Sequence, residues 1–181
     1  MGMNTLDIFL FSSFNSLAGK SPLLDSGIVF FAQYFPYLLT GLFFVFAVTR
    51  ILSLKERMFL VAEGFGAALL SRGLVEFIRL VVHRLRPFVA DSSVIALFSE
   101  SSFSFPSGHA SFFFALATVV FLYDRKWGIW FYITSALIGI ARVVAGVHYP
   151  SDIFGGVVLG ILVGWFLYFL SRKYVKEKTI S

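Results

Sequence analysis

Long apolar runs separated by short polar breaks dominate the chain, and this pattern predicts a bundle of helices. An apolar helix of about 20 residues is long enough to cross the hydrocarbon core of a membrane. We therefore predict an all-α integral membrane protein, built as a compact bundle of five transmembrane helices. The predicted spans are residues 25–48, 58–85, 108–123, 127–147 and 151–170.

The first 20 residues differ from these runs, because their apolar positions follow a helical spacing that polar residues interrupt. The apolar positions are Leu6, Phe9, Leu10, Phe14 and Leu17. So short a segment is typical of a helix that lies in the membrane interface. We predict an interfacial helix over residues 1–20, with a short sixth span as the alternative. The Lys20-Ser21-Pro22 sequence ends this helix.

The composition agrees with a membrane protein. Of the 181 residues, 58% are hydrophobic and 14% are charged, whereas soluble domains average about 45–50% apolar and about 25% charged residues. We predict one domain over residues 1–181, with a transmembrane bundle at 25–171 and a basic cytoplasmic tail at 172–181. The absence of cysteine excludes disulfides and thiolate metal sites.

The net charge of +5 does not indicate nucleic-acid binding, because most basic residues lie at the ends of apolar runs. Charge in those places sets membrane topology or contacts lipid headgroups. Three basic connections, at residues 50–57, 125–126 and 172–181, fall on one side of a five-span protein. The positive-inside rule makes that side cytoplasmic. The loop at 91–107 and the turn at His148 then face the other side.

Polar residues that could bind a ligand or take part in a reaction fall in three clusters on that outer side. In the first, Arg79 and Arg86 are separated by two helical turns, so we predict that they share one helix face. Guanidinium groups suit bidentate binding of phosphate oxygens. Arg72 and Glu76 have the spacing of an ion pair that orients Arg79, and a direct role with substrate is the alternative. Taken alone, the cluster also fits arginines that snorkel from a helix end.

The second cluster is Pro106-Ser107-Gly108-His109, at the start of the third span. Ser107 is predicted to cap the helix, whose free N–H groups and positive dipole end bind anions. Gly108 allows an anion to approach the backbone, and His109 is placed for proton transfer. A plain helix cap beside an interfacial histidine is the alternative reading.

The third cluster contains Arg142, His148 and Asp152. A carboxylate four residues after a histidine can hold one ring nitrogen and leave the other free as a nucleophile or base. Asp152 can alternatively serve only to cap the fifth helix. Together, the three clusters supply what phosphoryl transfer through a phosphohistidine requires without a metal.

The clusters resemble the three-part signature of the type 2 phosphatidic acid phosphatase (PAP2) superfamily, Lys-x6-Arg-Pro, Pro-Ser-Gly-His and Ser-Arg-x5-His-x3-Asp. The resemblance implies that His148 is the nucleophile, Asp152 supports it and His109 protonates the leaving oxygen. It also implies that no metal or other cofactor is needed and that the phosphate is held by Arg79, Arg86, Arg142, Ser107 and Gly108. Two positions depart from the signature, because Arg79 replaces a lysine and Ala141 replaces a serine.

Within the superfamily, residues 15–25 and Tyr34-Phe35-Pro36-Tyr37 are similar to bacterial undecaprenyl-diphosphatases of the bacitracin-resistance type. This resemblance implies hydrolysis of undecaprenyl diphosphate to the monophosphate, which recycles the cell-wall lipid carrier on the outer leaflet of the bacterial inner membrane. Alternative substrates are phosphatidylglycerophosphate, phosphatidate and lipid A. A non-catalytic lipid-binding relative, and a metal or ion-transport site at the two histidines and Asp152, are alternatives of other classes.

Overall fold

Helices account for almost all regular structure in the computed structural model, which describes residues 5–49 and 53–180, with side chains up to residue 173. The all-α prediction is confirmed for these residues. Their helices are α1 (Thr5–Asn15), α2 (Pro22–Val29), α3 (Phe35–Thr49), α4 (Leu54–Val82), α5 (Pro87–Ala90), α6 (Gly108–Tyr123), α7 (Arg125–Val144) and α8 (Pro150–Ile180).

Within this described part, three helical stretches are both long and apolar enough to cross a membrane. One is Pro22–Thr49, in which a π-helical turn at Phe30–Tyr34 joins α2 to α3. The others are Arg125–Val144 and Pro150–Lys173. Helix α6 is apolar but shorter, and α4 carries charged residues along its length. The chain is a membrane protein, and the count of five spans stays a prediction.

Helix α6 occupies the centre of the bundle and packs against α4, α7 and α8. Helix α8 approaches it through Gly156, Gly160 and Gly164, which lie four residues apart on one face. A Cβ at Gly160 would lie 2.4 Å from the Ser111 carbonyl oxygen. Small residues at such contacts allow the close van der Waals packing that holds membrane helices together. The same contact brings the start of α6 next to the start of α8.

We expect Gly160→Ala to lower the free energy of unfolding by about 1–3 kcal/mol, because the added methyl group meets backbone and forces the helices apart. Gly73→Ala on α4 is the matched control, since a Cβ there would have nothing within 4 Å. Unfolding of both variants in detergent checks the prediction. Equal stability of the two variants would contradict the packing described.

Several predicted boundaries are corrected, and the end of α4 matters most. The helix ends at Val82 and not at residue 85, because His83 adopts a left-handed conformation with φ of 48°. Arg86 then lies on extended backbone beyond the helix. The prediction that Arg79 and Arg86 share one helix face is therefore wrong, although loop 91–107 contacts both side chains.

Other boundaries agree better with the sequence pattern. Helix α6 has the predicted limits, and Ser21 caps the helix that follows the predicted break. Helix α7 ends at Val144 instead of 147. Helix α8 continues to Ile180, so the predicted tail at 172–181 is helical over its described residues. Arg50 of the predicted basic connection lies outside the described residues.

Helix α1 packs against the ends of α7 and α8 through a narrow and partly polar face. Asp7, Phe11 and Asn15 lie four residues apart and are buried. The Asn15 Nδ2 donates to the carbonyl oxygens of Ile95 at 2.8 Å and Val144 at 2.9 Å. The apolar positions of the predicted interfacial face are exposed, and Leu6 is 61% exposed. Whether α1 lies in the interface or crosses it stays a prediction.

Candidate active site

The ends of four helices meet beside loop 91–107, and they bring the three predicted clusters together. The last turn of α4 supplies Arg79, and the segment after it supplies Arg86. Helix α6 begins here, and a short turn joins α7 to α8. The predicted site residues buried at this junction are Arg79, Arg86, Ser107, Gly108, Arg142, His148 and Asp152. Sequence positions up to 73 residues apart therefore form one cluster.

His148 and Asp152 interact as predicted, and the hydroxyl of Ser104 lies between them. The His148 Nδ1 is 3.4 Å from Asp152 Oδ2 and 3.3 Å from Ser104 Oγ. Ser104 Oγ donates to Asp152 Oδ2 at 2.5 Å, so its lone pairs remain to accept from the histidine. Both contacts favour a proton on Nδ1. The other ring nitrogen, Nε2, then carries the free lone pair.

The free nitrogen of His148 faces positive charge. Its Nε2 lies 3.3 Å from Nη1 of Arg86, which also donates to the Val147 carbonyl oxygen at 2.9 Å. A guanidinium group can only donate, so Nε2 is the acceptor in this contact. An anion bound by Arg86 would therefore lie next to the Nε2 lone pair of His148.

His148 lies in the turn between α7 and α8, where burial and then the charges of Arg142 and Arg86 lower its pKa well below 6.5. Protonation would remove the Nε2 lone pair. Because the folded-state pKa is lowered, we expect the neutral ring to persist as pH falls through 6.5 and to be lost only at lower pH. Spectra of ¹⁵N-histidine-labelled protein check this expectation. A His148 ring that is half protonated at pH 6.5 would contradict it.

Glu100, to which no sequence motif points, lies between Arg86 and Arg142. Its carboxylate pairs with Arg142 and, at 2.6 Å, with Nη2 of Arg86. Burial opposes ionisation, but the charges of Arg142 and Arg86 outweigh it and lower the pKa of Glu100 to about 2. A carboxylate bound by two guanidinium groups makes the same kind of contact as a phosphate. Glu100 thus occupies the contacts that Arg86 and Arg142 would offer to a bound phosphate.

We expect Glu100→Gln to tighten the binding of orthovanadate, a phosphate-like anion, by about tenfold, equivalent to about 1.4 kcal/mol. The substitution keeps the side-chain shape but removes the competing charge. Titration of the purified protein with orthovanadate measures the dissociation constant. Glu56→Gln is the matched control, because Glu56 lies in the first turn of α4, at the end of the helix that is far from the site. Unchanged or weaker binding in Glu100→Gln alone would show that Glu100 does not compete with the anion.

Arg79 is held by the network that the sequence predicted, together with loop residues that it did not. Arg72 Nη1 lies 2.6 Å from Glu76 Oε1, and Arg79 Nη1 lies 3.1 Å from the same oxygen. Arg79 Nη2 donates to the Pro106 carbonyl oxygen at 3.1 Å. Ser102 Oγ accepts from Arg79 at 3.1 Å and from Arg86 at 3.0 Å, and so joins the two arginines.

Arg142 reaches the site from α7 and is oriented by the π-helical turn at Phe30–Tyr34. Its Nη1 donates to the carbonyl oxygen of Ala32 at 3.1 Å. A π-helical turn interrupts the regular α-helical hydrogen bonds and often occurs at functional sites. Among the described residues, the buried Nε atoms of Arg79 and Arg142 have no hydrogen-bond partner. Donors of both guanidinium groups thus remain uncommitted.

The start of α6 has the predicted cap. Ser107 Oγ accepts from the Ala110 N–H at 3.4 Å, and the Ser107 N–H donates to the Asp152 carbonyl oxygen at 2.9 Å. At Gly108, a Cβ would lie 2.1 Å from Arg72 Nη1, so the missing side chain admits this guanidinium group. His109 is partly exposed, and the charges of Arg142 and Glu100 act on it. Its predicted role as the acid stays a prediction.

A further ion pair supports Asp152 from behind. Arg84 Nη1 lies 2.7 Å from Asp152 Oδ1, and Arg84 Nη2 lies 2.6 Å from Asp7 Oδ2. The sequence motifs point to neither Asp7 nor Arg84. An aspartate in an apolar N-terminal helix is nevertheless a sign that the carboxylate pairs with a cation, and here that cation is Arg84.

Comparison with known proteins gives a consistent result. The family model of the PAP2 superfamily matches residues 60–176. The chain is 29% identical over 174 residues to the bacitracin transport permease protein BcrC of Bacillus licheniformis, covering 96% of this chain and 84% of that protein. It is also 29% identical over 164 residues to the undecaprenyl-diphosphatase BcrC of Bacillus subtilis, covering 88% and 81%.

Two other similarities extend this picture. The crystal structure of LpxE from Aquifex aeolicus superimposes with a TM-score of 0.76 at 30% identity, covering 91% of this chain and 96% of that one. Phosphatidylglycerophosphatase B of Bacillus subtilis is 35% identical over 117 residues, covering 59% of this chain and 51% of that protein. Two of these names specify a lipid, and they specify different ones, undecaprenyl diphosphate and phosphatidylglycerophosphate.

Proposed function

The chain belongs to the PAP2 superfamily, and the relatives described above include phosphatases that act on lipids. We propose that it hydrolyses undecaprenyl diphosphate to undecaprenyl phosphate and inorganic phosphate. The observation that carries the reaction type is the position of His148, whose Nδ1 faces Asp152 while its Nε2 lies 3.3 Å from Arg86 Nη1. The similarity to the BcrC proteins over most of the chain supports the lipid.

In the proposed first step, Nε2 of His148 attacks the terminal phosphorus and a P–N bond forms. The bond from that phosphorus to the bridging oxygen breaks, and undecaprenyl phosphate leaves with a proton from His109, which becomes neutral. Asp152 offsets the positive charge that develops on the imidazole. Charge on the transferring phosphoryl oxygens is stabilised by a preorganised set of donors, for which we propose Arg79, Arg86, Arg142, Ser107 and the Gly108 N–H.

In the second step, His109 accepts a proton from water as the water oxygen attacks phosphorus. The P–N bond breaks, inorganic phosphate leaves, and His148 returns to its neutral form. Three guanidinium groups supply the positive charge that a metal supplies in other phosphatases. We therefore propose that no metal is required, and full activity in excess chelator is the expected result.

We further propose that the site faces the outside of the bacterial cytoplasmic membrane. The arginines at the site end do not count as free charges, because Arg84 and Arg86 pair with Asp7, Asp152 and Glu100. The opposite end carries the basic residues of the α4 start and the α6–α7 connection. Since the chain has no native cysteine, labelling of Ser93→Cys and Lys126→Cys by an impermeant maleimide tests this. Only Ser93→Cys should react in intact cells.

Phosphate release from a panel of lipids tests the proposed substrate. Undecaprenyl diphosphate, phosphatidylglycerophosphate, phosphatidate and lipid A are compared in the same detergent, with His148→Ala as the control for contaminating phosphatases. We expect the highest kcat/KM with undecaprenyl diphosphate. A clear preference for phosphatidylglycerophosphate, which the similarity to phosphatidylglycerophosphatase B makes the second candidate, would reject the assignment.

A further inference from the structure

An alternating series of charges extends from the catalytic pair to α1. In space, Arg84 lies between Asp7 and Asp152. The distance is 2.6 Å between Asp7 Oδ2 and Arg84 Nη2, and 2.7 Å between Arg84 Nη1 and Asp152 Oδ1. Ser151 completes the contact: its N–H donates to Asp7 Oδ1 at 2.9 Å and its hydroxyl donates to Asp7 Oδ2 at 2.5 Å. Arg84 also donates to that hydroxyl at 2.6 Å.

The backbone after α4 explains why Arg84 faces Asp152 from behind while Arg86 faces His148. His83 ends the helix in a left-handed conformation, and Arg86 has extended backbone. Arg84 lies between these two residues in the irregular segment that joins α4 to α5, where no helical periodicity relates its side chain to that of Arg86. Arg84 is further fixed over the ring of Tyr149, 4.2 Å from its centroid.

The two carboxylate oxygens of Asp152 have different partners. Oδ2 accepts from Ser104 Oγ at 2.5 Å and the Tyr149 N–H at 2.8 Å, on the side of His148. Oδ1 accepts from Arg84. Rotation of an aspartate carboxylate about its terminal torsion is only weakly restricted. Arg84 therefore prevents a rotation that would turn Oδ2 away from His148. The Arg84 carbonyl oxygen also accepts from the Ser104 N–H at 2.8 Å.

We propose that Arg84, held in place by Asp7 of α1, is a positioning residue that orients Asp152 toward His148. This inference rests on the proposed function for its kinetic consequence. When His148 carries the phosphoryl group and is cationic, charges alternate from His148 through Asp152 and Arg84 to Asp7. Asp7 thereby offsets the charge of Arg84, which would otherwise weaken the effect of Asp152 on the imidazolium. Helix α1 thus contributes to catalysis.

Kinetics of Arg84→Gln, Arg84→Lys and Asp7→Asn test the inference with the full chain in detergent. We expect Arg84→Gln to lower kcat by about 10- to 100-fold through misplacement of the catalytic pair. KM should stay within about twofold, because the anion-binding arginines are unchanged. Arg84→Lys should restore part of kcat. Asp7→Asn keeps the shape and removes one charge, so we expect a smaller loss of kcat. Thermal unfolding of Asp7→Asn shows whether the variant is folded.

A spectroscopic readout does not depend on the substrate. The chain has 3 histidines, so ¹⁵N spectra can be assigned by single replacements. We expect one His148 tautomer, protonated on Nδ1, in the wild type and a mixture in Arg84→Gln. Unchanged kcat, an unchanged tautomer in folded Arg84→Gln, or a rise in KM alone would overturn the inference. A rise in KM would instead indicate lipid contact, since Asp7 and Arg84 also line a groove of about 850 Å³ between α1 and α8.

The two proposals fail in different ways. If the wild type released no phosphate from any lipid, the proposed function would be rejected. A tautomer mixture in Arg84→Gln would in that case still support the positioning role. If the wild type were active and Arg84→Gln equally so, only the positioning role would be rejected.

Discussion

His148→Asn is expected to lower kcat/KM by at least about 10⁴-fold, because the substitution removes the proposed nucleophile. The side chains in direct contact with His148 are those of Arg86, Ser104 and Asp152, and none of these three offers an imidazole nitrogen in its place. Any remaining reaction would require direct attack by water on a phosphate that the arginines still bind. Initial rates of phosphate release with undecaprenyl diphosphate measure the loss.

His83→Asn is the matched control for this variant. His83 is exposed and its ring packs against Phe103, with 4.7 Å between the ring centroids. Asparagine tolerates the left-handed backbone at this position. We expect nearly normal activity from His83→Asn. Retention of more than about 1% of activity in His148→Asn, relative to this control, would be incompatible with a covalent role for His148.

The second large effect is expected from His109→Ala, and its size depends on the leaving group. General acid catalysis contributes about 10²–10⁴-fold when the leaving oxygen needs a proton. When the substrate is a lipid monophosphate, the leaving group is the lipid alkoxide. When the substrate is a lipid diphosphate, the leaving group is the lipid monophosphate, whose second pKa is about 6. We therefore expect a large loss of kcat/KM with phosphatidate and a much smaller loss with undecaprenyl diphosphate.

The ratio of these two losses is the informative quantity. The parameter kcat/KM covers steps up to the first irreversible one, so it reports formation of the phosphohistidine and not its hydrolysis. Ser111→Ala, two residues further along α6, is a control for altered packing of the helix. Equal losses with both lipids would show that His109 binds the phosphate and does not protonate the leaving group.

The sequence pattern predicted the parts of the site that belong to local structure. Ser107 caps α6 because a serine before an apolar run has a local hydrogen-bonding role. The contact between His148 and Asp152 follows from their spacing. The pairing of Arg72 with Glu76 does so as well. Each of these contacts joins residues that are three or four positions apart in the chain.

Other parts of the site depend on contacts between distant segments, so the sequence could not specify them. Asp7 meets Arg84 across 77 positions, and Glu100 meets Arg142 across 42. Glu100 lies in a loop, where no periodicity indicates which side chains turn inward. Helix α4 ends where His83 adopts a left-handed conformation. The hydropathy of the chain gives no sign of that conformation. For the same reason, the shared face of Arg79 and Arg86 was predicted wrongly.

Covalent phosphate on His148 tests the central claim most directly. Undecaprenyl diphosphate labelled with ³²P in its terminal phosphate is mixed with the enzyme and quenched within one turnover in strong base, in which a phosphohistidine survives. Peptide mapping then locates the label. The predicted result is label on the peptide that contains His148 in the wild type and in His83→Asn, and none in His148→Asn. Turnover by the wild type with no label at any quench time, or with label on another residue, would contradict the phosphohistidine mechanism.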